Sequence, residues 1–200
     1  NTKGAPIPEQ KEDDTEYIYY TKDGYYLGGK ESSLKVFLTI QQEYDTAQKG
    51  KKWSLINIED TLLKEKERVI SNNEFCHNAY LVHHEASLTG NKQTALWIAH
   101  TVNNALQSKY RRGKNTFNEL FKTGYSSVSS ADKTKIIKPN NNSQNEIYAR
   151  YAVIDVLIGG KDPTGKAYFW DGLDLFTRKG ELDHPKFKQY KTVTIGSKEL

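Results

Sequence analysis

The chain has 200 residues, of which 36% are hydrophobic, 27% charged and 12% aromatic, with a net charge of +4. Its thirteen tyrosines and seven phenylalanines exclude a wholly disordered chain, because disordered segments are poor in aromatic residues. No apolar run approaches the roughly 20 residues of a membrane-spanning helix, so a membrane span is excluded. The one cysteine, Cys76, excludes an intramolecular disulfide and argues against a cysteine-based zinc site.

The N-terminal part of the chain predicts a tail followed by a small β-sheet module. Residues 1–15 contain two of the five prolines and several acids, which is typical of a flexible tail or linker. Asp23-Gly24 stands between two tyrosine-rich runs and is a strong signal for a β-hairpin. Residues 34–40 supply a third strand. We therefore predict a β-meander within residues 16–56.

Residues 57–200 predict a mainly helical body, in which the helix after Ser71 carries the clearest pattern. Ser71 and Glu74 have the separation of a capping box. The apolar residues that follow recur on one face of a helix. Glu85 lies about 80° from the centre of that apolar stripe, at the C-terminal end of the helix. Three further helices are predicted at about 92–108, 116–121 and 143–158.

The usual metal and nucleophile motifs are incomplete in this chain. His83-His84-Glu85 lacks the second histidine of a zincin helix, because position 88 is Leu. No G-x-S-x-G elbow and no phosphate-binding glycine loop occurs. We therefore predict no metal and no cofactor.

Glu85 is the carboxyl group with the most suitable position for acid–base chemistry. Partial removal from water favours the protonated form of a carboxyl group, which can then donate a proton at neutral pH. Cleavage of a glycosidic bond needs such a donor at the leaving oxygen. The alternative interpretation is an ordinary surface glutamate near a helix C-terminus.

The segment YLVHHEA, residues 80–86, and the helix that follows it resemble the cell wall hydrolases of the spore-cortex-lytic type. In that family a helix ends in a Glu-Ala pair, and the next helix ends in an Asn eighteen residues after the Glu. Here these residues are Glu85 and Asn103. An aromatic–Ser segment and a helix that ends in Gly before Asp-Pro-Thr-Gly follow in the family's order, at 125–126 and 154–165.

The resemblance covers residues 72–170 and implies a lysozyme-like α+β fold that acts on peptidoglycan glycan strands. It implies that Glu85 is the catalytic acid and base. The chain departs from the family at Thr89, where a second Glu is usual, and at Asn104, where an Arg is usual. The predicted substrate-binding residues are Tyr125, Ser126, Asn103, Tyr148, Trp170 and Asp171.

The predicted function is peptidoglycan cleavage, with lytic transglycosylase slightly ahead of muramidase. A lytic transglycosylase can work with one acidic residue, whereas a hydrolase more often pairs two carboxylates. The candidates for a second carboxylate are Asp132, Asp162, Asp171 and Asp174. The resemblance implies a secreted or periplasmic location, and an antibacterial effector of this type would have an immunity protein as its partner.

Three rival interpretations stay open. The first is a non-catalytic peptidoglycan-binding or glycan-binding module that keeps the lysozyme-like scaffold. The second is a nucleic-acid binder that uses the small basic clusters 109–114 and 186–191, although this scattered charge gives it little support and no nucleic-acid partner is predicted. The third is a metallopeptidase.

Overall fold

The computed structural model of the protein describes residues 17–50, 62–86, 90–111, 113–125 and 128–168. Within these ranges five α-helices and a small N-terminal β-sheet confirm a mixed α+β class. The strands are β1 (Tyr17–Tyr20), β2 (Tyr26–Gly29), β3 (Lys35–Leu38), β4 (Lys64–Glu65) and β5 (Arg68–Val69). The helices are α1 (Gln41–Gly50), α2 (Asn72–Ala86), α3 (Lys92–Leu106), α4 (Phe117–Gly124) and α5 (Gln144–Leu157).

The strand pairing confirms the hairpin but corrects the meander. β1 and β2 are antiparallel, whereas β3 runs parallel to β1, so the sheet order is β2-β1-β3. A meander would place β3 beside β2, and that prediction is wrong. The reason lies in burial: Ile18 and Tyr20 of β1 are fully buried, as suits a central strand, whereas β2 contains Gly28 and Gly29 and is only partly buried.

The turn of the hairpin packs directly against the helices. Gly24 has a φ of +87°, and a Cβ atom there would lie 2.5 Å from the carbonyl oxygen of Ile147 in α5, so this turn requires glycine. The inward side chains of β1 and β3 belong to the same hydrophobic core as α2, α3, α4 and α5. The predicted boundaries between residues 15 and 16 and between 56 and 57 lie outside the described residues and stay predictions.

Two described elements are not predicted by the sequence. Helix α1 is mostly polar, and it is held by Tyr44 and Ala47, which pack against Tyr19 and Phe37 in a second, smaller core. The strands β4 and β5 form a short antiparallel hairpin directly before α2. Both elements depend on tertiary contacts rather than on a local apolar pattern.

The apolar stripe predicted for α2 is confirmed, because Phe75, Ala79, Val82 and Ala86 are buried. In α3, the helix predicted at about 92–108, the residues with the same spacing are buried too: Ala95, Ala99, Val102 and Leu106. The hydroxyls of Ser71 and Thr116 each accept a hydrogen bond from the backbone N–H three residues later, at 3.2 Å. Ser143 precedes α5 as predicted, but its hydroxyl donates to the Glu146 carboxylate instead of capping an N–H group.

Cys76, the one cysteine of the chain, is a small buried residue of α2. Its side chain is fully buried, its thiol donates to Asn72 Oδ1 at 3.3 Å, and the Tyr20 hydroxyl lies 3.6 Å from its sulfur. Burial raises the pKa of the Cys76 thiol to about 11. The group is therefore a neutral thiol at physiological pH and is not an activated nucleophile.

Candidate active site

Glu85 lies in the last turn of α2, directly before the helix ends at Ala86. Its side chain is half-buried and its Oε1 atom is buried, so the carboxyl group stands at the border between the core and solvent. Helical geometry predicts this border position from the apolar stripe. The start of the same helix is fixed by Arg68, whose guanidinium donates to both carboxylate oxygens of Glu74 at 2.7 and 2.6 Å. Glu85 thus lies at the opposite end of a helix whose first turn carries this ion pair.

Asp132 lies beside α2 and is committed to hydrogen bonds. Its carboxylate accepts from the Tyr80 hydroxyl at 2.8 Å, from Lys135 Nζ at 3.2 Å, and from both the backbone N–H and the hydroxyl of Ser129. Nε2 of His84, the residue before Glu85, lies 3.9 Å from the same carboxylate. The Ser129 hydroxyl, followed by that of Tyr80, holds the pKa of Asp132 well below its usual range. Asp132 is therefore an ionised group that positions its neighbours.

His77 is a structural histidine rather than a metal ligand. Its Nδ1 accepts a hydrogen bond from the Asn118 amide at 2.9 Å, so the proton is on Nε2, which donates to the Asp132 carbonyl oxygen at 3.2 Å. Burial lowers the pKa of His77 and favours this neutral form. Within the described ranges, no three His, Cys, Asp or Glu side chains are grouped in a way that could hold a metal ion.

The predicted substrate-binding residues fall into two groups. Ser126, Trp170 and Asp171 lie outside the described residues. Asn103 is half-buried on α3, and Tyr148 is half-buried on α5 against the core. Tyr125 follows α4, packs its ring 5.6 Å from that of Phe121, and donates its hydroxyl to the carbonyl oxygen of Tyr168 at 3.4 Å. Tyr125 thus contacts the loop 160–168 that follows α5. The same loop is also attached to α3, at the residue next to Asn103.

That other attachment is Asn104, a residue to which the sequence assigns no role. Its Nδ2 donates to Asp162 Oδ2 at 3.0 Å, to Thr164 Oγ1 at 3.0 Å and to the Ala167 carbonyl oxygen at 3.1 Å. Burial alone raises the pKa of Asp162, but hydrogen bonds from Thr164, Asn104 and the Lys166 N–H outweigh it and lower that pKa. The Asp-Pro-Thr-Gly turn is thus an ionised, fully bonded structure fastened to α3. The sequence singles out position 104 only as a departure from the family it resembles, in which an Arg is usual.

His100 lies between the last described helix and the same loop. It is buried, its Nε2 donates to Asp155 Oδ2 of α5 at 2.8 Å, and its Nδ1 lies 4.0 Å from Asp162 Oδ1. The sequence gives no signal for this contact, because the partners are 55 residues apart. His100 thus connects α3 to the last turn of α5, directly before this loop.

Replacing Asn104 with alanine is expected to loosen the loop without unfolding the protein. The change removes the donor shared by three acceptors, at a cost of about 1–2 kcal/mol in the local opening free energy. Hydrogen exchange of the Thr164, Lys166 and Ala167 amides should accelerate by about tenfold, and Asn103→Ala serves as the control. Equal exchange in both variants would show that Asn104 does not hold the loop.

Comparison with known proteins does not assign this site. No protein-family model, no curated protein and no solved structure matches the chain. No helix among the described residues is both long and apolar enough to cross a membrane. A function for this site therefore rests on its own residues and on the resemblance over residues 72–170.

Proposed function

We propose that this protein cleaves the glycan strands of peptidoglycan, with Glu85 as general acid and base on a lysozyme-like α+β scaffold. The observation that carries the proposal is the position of Glu85, half-buried in the last turn of α2 with Oε1 buried. A glycosidic oxygen leaves readily only when it is protonated, and a carboxyl group held at a fixed helix end can supply that proton. The resemblance to the cell wall hydrolases indicates the polymer.

The described aspartates favour a route that uses a single acid. A carboxylate has about four lone-pair sites. Asp132 accepts hydrogen bonds from Ser129 (twice), Tyr80 and Lys135, and Asp162 is equally occupied by its own loop and α3. Neither carboxylate is open to activate water or attack a sugar. This occupancy supports a lytic transglycosylase over a muramidase.

In the lytic route, the protonated Glu85 donates to the glycosidic oxygen as the bond to the anomeric carbon breaks. A hydroxyl of the same sugar then attacks that carbon, and the Glu85 carboxylate takes the hydroxyl proton. The product is an anhydro sugar, and Glu85 returns to its starting state. In a muramidase, water replaces the hydroxyl, and Asp171 or Asp174, outside the described residues, is the second carboxylate.

The proposed substrate places the site of action in the periplasm or outside the cell. Two roles fit such an enzyme, an antibacterial effector and a wall-remodelling enzyme. For the effector, the expected partner is an immunity protein that covers Glu85 in the producing cell. The immunity protein is proposed together with the effector role.

Incubation of the protein with purified peptidoglycan tests the proposal. We expect soluble fragments with anhydro-muramyl ends, identified by mass. Fragments with reducing ends would replace the lytic route with hydrolysis and direct attention to Asp171 and Asp174. Retained binding to peptidoglycan with no release would contradict the proposal and leave a glycan-binding module.

A further inference from the structure

Two tyrosine rings form a small surface beside the loop 160–168. The rings of Tyr110 and Tyr168 lie 5.3 Å apart at an angle of 40°, and Tyr168 is 36% exposed. Tyr110 belongs to a 3-10 turn, Lys109–Arg111, that follows α3. We call these two rings the tyrosine platform. Tyr110 is half-buried, so the platform presents one largely exposed ring beside a partly exposed one.

Hydrogen bonds hold the backbone on which the two rings stand. The Tyr125 hydroxyl donates to the Tyr168 carbonyl oxygen at 3.4 Å, and the Asn104 amide holds the Ala167 carbonyl oxygen at 3.1 Å. On the other side, the Tyr110 N–H donates to the Ser108 hydroxyl at 3.0 Å. A ligand therefore meets rings whose backbone is already ordered, which lowers the entropic cost of binding.

Three basic residues are close to the platform tyrosines in the chain. Lys109 and Arg111 flank Tyr110 in the chain, Lys166 precedes Tyr168 by two residues, and all three side chains are exposed. Lys109 Nζ lies 5.4 Å from the centroid of the Tyr110 ring. The acid of this loop, Asp162, directs its carboxylate to Asn104, Thr164 and the loop backbone. One cation thus lies over the Tyr110 ring, and two further exposed cations lie within two residues of the platform tyrosines in the chain.

We infer that the tyrosine platform binds a sugar ring of a carboxylate-bearing glycan, as a subsite of the proposed peptidoglycan substrate. The inference rests on the proposed function for the identity of the glycan. The face of a pyranose carries C–H groups of partial positive charge, which pack against the negative face of an aromatic ring. The cations complement the carboxylates of such a glycan.

Single-stranded nucleic acid is the rival ligand, because it also binds aromatic rings flanked by cations. The position of the platform favours the glycan, because the backbone of Tyr168 is hydrogen-bonded to Tyr125, which the resemblance places along the sugar cleft.

Binding to the Glu85→Gln protein tests the inference without turnover. The probes are peptide-free glycan strands, which carry a carboxylate on each muramic residue, neutral chitin oligomers, and single-stranded DNA. We expect Tyr168→Ala to weaken binding to the strands by about tenfold and Tyr168→Phe to change it by less than about twofold. The matched control is Tyr25→Ala, because Tyr25 is 45% exposed on the hairpin and should not affect binding.

A second variant tests the contribution of positive charge to glycan binding. Lys109→Gln is expected to weaken binding to the anionic strands at low salt but not at high salt, and to leave binding to chitin oligomers unchanged. Unchanged melting temperatures of the variants establish that the fold is intact. A Tyr168→Ala protein that binds strands as tightly as its parent, or that loses DNA binding alone, overturns the inference.

The same proteins separate this inference from the proposed function. If the protein with Glu85 intact releases no fragments while glycan binding still depends on Tyr168, the proposed cleavage fails and the platform stands. If the protein cleaves peptidoglycan and both cleavage and binding are indifferent to Tyr168→Ala, cleavage stands and the platform fails.

Discussion

Replacing Arg150 with alanine is expected to lower the free energy of unfolding by about 3–5 kcal/mol. Arg150 is fully buried on α5, and its guanidinium donates to the Gly24 carbonyl oxygen at 2.7 Å, the Asn141 carbonyl oxygen at 2.9 Å and Asn142 Oδ1 at 2.8 Å. Alanine leaves these three oxygens without their donor and creates a cavity beneath the Tyr20 ring, 5.9 Å from the guanidinium. Burial lowers the pKa of Arg150.

Denaturant unfolding measures this effect. Arg150→Lys keeps a cation but loses the forked geometry, so its stability should lie between those of the wild type and the alanine variant. Arg111→Ala, which removes an exposed arginine, is the matched control and should stay within about 0.5 kcal/mol. A loss below about 1 kcal/mol for Arg150→Ala would show that these hydrogen bonds do not fasten the hairpin to α5.

Replacing Glu85 with glutamine is expected to reduce the rate of peptidoglycan cleavage by about 10²–10⁴-fold. Glutamine has nearly the same shape but cannot transfer a carboxyl proton to the glycosidic oxygen. Binding to peptidoglycan should persist, because the change removes proton transfer rather than the sugar contacts. Glu67→Gln, an exposed glutamate in the turn between β4 and β5, is the matched control and should leave the rate unchanged.

A rate unaffected by Glu85→Gln would remove Glu85 from the mechanism. Loss of cleavage in the Glu67→Gln control as well would indicate a general charge effect instead of a specific proton donor. Melting temperatures of both variants exclude misfolding as the cause.

The elements that could be predicted from the sequence are those with local signals. The Asp-Gly turn sets the β1–β2 hairpin, and Ser71 and Thr116 start α2 and α4 through hydrogen bonds to N–H groups three residues away. Apolar stripes then place α2 and α3. Each of these features depends on residues that are close together in the chain. They can therefore be predicted from the sequence.

The features that could not be predicted depend on distant residues. The parallel pairing of β3 with β1 joins segments that are separated in the chain by β2. Helix α1 is held by Tyr44 and Ala47, which are the buried side chains among its described residues. Asn104 meets Asp162 across 58 residues of chain. No local pattern indicates such contacts.

The candidate site likewise has one feature that the sequence predicts and another that depends on distant residues. The border position of Glu85 follows from helical geometry, whereas the occupancy of Asp132 and Asp162 depends on loops folded back against α2 and α3. Sequence reasoning offers both aspartates as second carboxylates because residue type and position do not show which lone pairs are already used. The catalytic role of Glu85 stays a prediction.

The most direct test of Glu85 as the proton donor is the mass of the fragments released from purified peptidoglycan by the wild type and by Glu85→Gln. The two proteins are compared at equal amounts bound to the polymer. We expect anhydro-ended fragments from the wild type and about 10²–10⁴-fold slower release from the variant. The same fragments released by Glu85→Gln at the wild-type rate would contradict this expectation.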